Sequence, residues 1–290
     1  MSFEEEYDII SITEVNKTSY VDNSFKDIVA PFVNGIEKII GNPHFCKEHF
    51  RRRNLFLCEA YCLLVTGFKD ATKLLQFERQ LKIGAHAAIL LDLYAAGVIN
   101  LYQHCENHKL GDRKLDLYIR VADENLSFTF INGIVFRHLF YHNETKEQKK
   151  QFNQSVSDWL SSTQKTTGTI TSIMNNLVAR GILTKTGFRI PENFINYQTL
   201  NFWPDQELER EIISTGLREI KPDSFILSLL TLSHVCDLNF VSARLDIFFK
   251  GREKLVAKDN IRTIVETQAQ VLKSPKFIRK KFSFENFNSK

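Results

Sequence analysis

Three segments of this chain are apolar on almost every side of the helix each would form, and nothing else in the sequence limits the fold as tightly. LFLCEAYCLLV begins at Leu55, GAHAAILLDLYAAG at Gly84 and DSFILSLLTLSHVCDL at Asp223. A helix with one apolar stripe can lie on a surface. A helix apolar all round has to be covered on all sides. Three such segments predict a buried helical bundle. None can cross a bilayer, which takes about 20 apolar residues. The longest candidate, AAILLDLYAAGVINL, is broken by Asp92 and Gly97. Gly97 suits the position just past a helix end.

Other segments should wrap that bundle. DQELEREIISTGLREI and DNIRTIVETQAQVLK are amphipathic. β-like runs occur at VINLYQ, KLDLYIRV and ILTKTGFRIPENFINYQTLNF. The expected fold is mainly α: a central bundle of apolar helices ringed by amphipathic ones, with a small β-hairpin. With 290 residues, 43% of them hydrophobic, the chain can enclose a sizeable core. Residues 1–53 read as a partly ordered N-terminal arm, in which Pro31 would interrupt the helix of FKDIVAPFVNGIEKII. Residues 54–272 read as the domain and 273–290 as a basic, aromatic tail.

The net charge of +4 selects no partner class by itself. The acidic start MSFEEEYD lacks the order of a secretory signal, and five cysteines show no framework spacing. A reducing, cytosolic setting with free thiols is expected. His44, Cys46 and His49, with His104, Cys105 and His108, are metal-ligand types without a zinc-like spacing, so no metal site is assigned. Cys58 and Cys62 read as small buried hydrophobes. His234 and Asp237 share a helix face, but no nucleophile elbow or glycine-rich phosphate loop accompanies them. The chain is read as a non-enzyme without a cofactor.

The stretch TTGTITSIMNNLVARGILTKTGFRI, Thr166 to Ile190, has the order of a winged helix. Ile170, Ile173, Met174, Leu177 and Val178 form a buried stripe, and Gly181 ends the helix. Its polar face is Thr, Ser and Asn without a cation, which is poor equipment for phosphates or bases. Nucleic-acid binding stays as the alternative reading. The hairpin run after it carries Phe188, Ile190, Phe194 and Ile195, suited to a lipid surface, to its own core or to a second copy. FERQLKIGAH sets Phe77, Arg79, Lys82 and His86 side by side, a mixture suited to a lipid–water boundary.

EAYCLLVTGFKD, GAHAAILLDLYAAGVINL, SDWL, NNLVARGILT and LTLSHVCD follow one another in an order that resembles the Golgi phosphoprotein 3 family, over about Asn54 to Leu272. The resemblance implies a four-helix core with a hairpin, on a non-enzymatic peripheral adaptor at the cytosolic face of the Golgi. It implies binding to phosphatidylinositol 4-phosphate, to glycosyltransferase tails and to coatomer, and not to nucleic acid. It also implies that the hairpin inserts into membrane or joins copies of the chain. The family's headgroup pocket falls here on Phe77 and His86, and its two further basic positions on Thr167 and Ile170. Arg79, Lys82 and Lys165 are the basic residues nearest in sequence. Arg51, Arg52 and Arg53 stand where the family places basic residues that contact coatomer.

Overall fold

A computed structural model describes residues 23–66, 78–107, 113–122, 153–163, 168–189, 194–235 and 251–273. In chain order these hold α1 (Asn23–Ile40), α2 (Glu48–Arg51), α3 (Leu57–Thr66), α4 (Glu78–Ala96), β1 (Ile99–Asn107), β2 (Arg113–Val121) and β3 (Asn153–Ser155). They continue with α5 (Val156–Ser162), α6 (Thr169–Ala179), β4 (Leu183–Arg189), β5 (Phe194–Thr199), α7 (Trp203–Gly216), α8 (Ser224–Val235) and α9 (Arg252–Lys273).

The three apolar segments become α3, α4 and α8, and each is buried over most of its circumference. They pack together with α1, whose Val29, Phe32, Ile36 and Ile39 enter the same core. This corrects the expected boundary at Arg53, because the segment from Asn23 onward belongs to the domain. Pro31 does not interrupt α1. It sits on the exposed side, where the carbonyl it cannot bond, that of exposed Asp27, is open to water. The helices α3 and α4 approach closely at Gly84, where a Cβ would stand 2.0 Å from the Tyr61 hydroxyl. A side chain there would displace the phenol.

Amphipathic α6, α7 and α9 lie around this centre. α7 and α9 are tied where Asn260 Nδ2 donates to the Gly216 carbonyl at 2.8 Å. α4 ends as its sequence predicts. Gly97 takes φ +84°, and the Val98 N–H reaches the Leu93 carbonyl at 3.0 Å. Gly181 closes α6 in the same way. VINLYQ and KLDLYIRV pair as antiparallel β1 and β2, and β3 adds to β2, a three-stranded sheet in the order β1-β2-β3. Separately, β4 and β5 form the expected antiparallel hairpin, with a bulge between Lys185 and Gly187.

Candidate functional site

Of the residues marked for a headgroup pocket, the structure describes Arg79, Lys82, His86 and Ile170, and it turns His86 inward. His86 lies on α4 and is 1% exposed. Its Nδ1 meets the Lys82 carbonyl at 2.7 Å. A carbonyl only accepts, so Nδ1 carries the proton. In the neutral ring Nε2 is then an acceptor, and Thr169 Oγ1 stands 3.2 Å away to donate to it. The ring also meets the Trp159 indole edge-on, with centroids 5.9 Å apart. His86 thus joins α4, α5 and α6 from inside, and neither ring nitrogen remains for a phosphate. This corrects its reading as a headgroup ligand. Ile170 packs against the core, half-buried. Arg79 is exposed and Lys82 half-buried. Phe77, Lys165 and Thr167 lie outside the described residues, as does Ile190 of the hairpin.

The hairpin is anchored at one end. β4 follows α6 directly, and its contacts with other elements lie chiefly on that helix. In the ladder Phe188 pairs with Ile195, and Arg189 with Phe194. Just past β5, Leu200, Phe202 and Trp203 are exposed. The sequence reading passed over this stretch because it took LNF for the end of a strand. Three large apolar residues within four positions, at a strand-to-helix junction that cannot bury all of them, were the available signal.

No family model and no curated protein matches the chain. Among the described residues no helix is long and apolar enough to cross a membrane.

The charged groups inside the helices serve the fold. Asp92, on α4, accepts the N–H groups of Leu57 at 2.8 Å and Cys58 at 3.0 Å, capping α3 from a neighbouring helix. Burial pushes its carboxyl up to about 7, against the lowering effect of those two N–H groups. Glu59 is fully buried. It accepts from the Phe56 N–H at 2.9 Å and from Asn176 Nδ2 at 2.7 Å, and it pairs with Arg180. That arrangement caps α3 a second time and fastens it to the end of α6. The thiols of Cys58 and Cys62 are pushed up, by burial first, and are poor nucleophiles.

Two of the remaining sequence candidates, His49 and Arg53, also have internal duties. His49 Nδ1 accepts from the Ser224 N–H at 3.2 Å, which ties this ring to the start of α8. Among the described residues no three His, Cys, Asp or Glu side chains gather for a metal. His108 and Asp237 are not among them. In the arginine cluster, Arg51 pairs with Glu48 at the surface and Arg52 is exposed. Arg53 is held by Glu211 and Asp223, whose hydrogen bonds raise its pKa over the lowering effect of burial. For the nucleic-acid alternative, the exposed residues of α6 are Asn175 and Ala179 alone, so this helix offers no cationic face to a groove.

Proposed function

We propose that this protein is a non-enzymatic peripheral membrane adaptor, similar in role to the Golgi phosphoprotein 3 family, that meets the cytosolic face of the Golgi through its β4–β5 hairpin. The hairpin carries this reading. A two-stranded sheet is marginal by itself in water, and this one follows α6 as an anchored projection with Phe188 and Ile195 paired in its far half. Leu183 and Tyr197 pack the near half of the hairpin against the core, and a lipid surface would supply a second layer for the far half. The mainly helical fold with apolar central helices agrees with the resemblance. Glycosyltransferase tails and coatomer are the partners proposed with it.

Phosphatidylinositol 4-phosphate recognition is the finer part of the proposal. With His86 committed inside, it relies on basic residues around the hairpin and the start of α4, such as Arg79 and Lys185. Flotation with vesicles separates the two parts. The full chain is expected to float with vesicles carrying phosphatidylinositol 4-phosphate. Equal flotation on phosphatidylserine vesicles of matched charge sinks headgroup recognition and keeps membrane docking. No flotation on any vesicle sinks both.

A further inference from the structure

Leu200, Phe202 and Trp203 are 63%, 57% and 61% exposed. The backbone around them is well tied. The N–H groups of Leu200 and Asn201 both donate to the Ile182 carbonyl, at 2.9 and 3.1 Å, which stitches the stretch to the root of β4. Asn201 Oδ1 accepts the Trp203 N–H at 3.1 Å, and the Phe202 carbonyl takes a helical bond from Gln206 at 2.9 Å. α7 turns Pro204, Leu208 and Ile212 inward, so Trp203 is left on its outer side, with exposed Arg210 two turns on. The helix register therefore fixes the exposure. In water such a patch forfeits burial and invites aggregation.

The charge around the stretch indicates what covers it. Lys185, opposite Tyr197 in the hairpin ladder, and Arg210, on α7, are both exposed. The acids of α7, Asp205, Glu207, Glu209 and Glu211, are all drawn partly into the surface. Aromatic side chains with outward basic neighbours match the headgroup layer of an anionic bilayer, where Trp concentrates and each nearby cation adds attraction.

We infer that Leu200, Phe202 and Trp203 form a second membrane-contact surface, at the root of the hairpin, that seats in the headgroup layer of anionic bilayers. This rests on the membrane reading above and adds a contact distinct from the hairpin itself. The chain has two tryptophans, and Trp159 is already buried, so an emission change on binding reports Trp203.

The test uses the full chain with phosphatidylcholine vesicles containing or lacking phosphatidylserine. Binding is expected to shift emission to the blue with anionic vesicles, and brominated acyl chains should quench it. Phe202→Ser with Trp203→Ser should weaken vesicle partitioning about tenfold or more, as expected when large side chains no longer leave water. If the wild type floats with unchanged, unquenched emission, and the double variant floats equally, the inference is overturned and the hairpin reading stands. A wild type that floats on no vesicle overturns the membrane reading, and this inference with it.

Discussion

At the junction of α3, α4 and α6, polar groups are buried and met: Asp92 caps a helix, Glu59 takes three donors, and both ring nitrogens of His86 are engaged. At the junction of β5 and α7 the opposite holds, because large apolar groups are exposed on a well-bonded backbone. The first arrangement is what a fold needs, since a buried polar group is tolerated only when hydrogen-bonded. The second gives the fold nothing. Residues that the fold does not need, held firmly in the open, indicate an outside surface more directly than a perturbed carboxylate inside a helix bundle does.

Glu59→Ala should break the buried junction most severely. It leaves the Phe56 N–H and Asn176 Nδ2 without their acceptor and frees Arg180. The expected loss is about 3 kcal/mol, at the low end for a broken buried ion pair because Arg180 is partly exposed and can turn to water. Urea unfolding measures it. Gly84→Ala tests packing at the same helix pair. A Cβ there overlaps the Tyr61 phenol, so a loss of about 2 kcal/mol is expected from overpacking. Tyr61→Phe combined with Gly84→Ala should recover part of it, since the hydroxyl is the nearest atom.

The next expectation is a slope with pH. The Asp92 carboxyl is raised to about 7 in the fold, while an unfolded Asp titrates near ~3.9. The folded protein therefore holds this proton more tightly than the unfolded chain does. Its contribution is fully present below about pH 4 and is lost as the pH rises through about 7. The wild type should lose stability between pH 5 and 8 relative to Asp92→Asn, which keeps an acceptor for the Leu57 N–H but has no charge to desolvate. Parallel urea midpoints of the two proteins across that range would contradict this titration.

The parts of the fold set by local pattern were legible in the sequence. Apolar-all-round segments became α3, α4 and α8, and two glycines closed helices where expected. What misled was context. Pro31 reads as a break, yet it falls on the solvent side of α1, where the lost bond matters least, so α1 reaches the core. His86 reads as surface beside Arg79 and Lys82, yet two turns of α4 carry it from exposed Arg79 into the interior. The partners of Glu59 and Asp92 could not be read either. A charge within an apolar helix says only that some donor must come, and Asn176 and Arg180 arrive from more than a hundred residues away.

The smallest expected effect sharpens the contrast between the two junctions. Trp203→Ser should change stability by no more than about 0.5 kcal/mol, as surface substitutions usually do, because Pro204, Leu208 and Ile212 rather than Trp203 hold α7 to the domain. Trp159→Ala, the same residue type inside, should cost about 3 to 5 kcal/mol. Thermal melts of both variants check the pair. A Trp203→Ser protein destabilised by several kcal/mol would mean that the exposed stretch supports the fold after all, and the reason for assigning it to an outside surface would be gone.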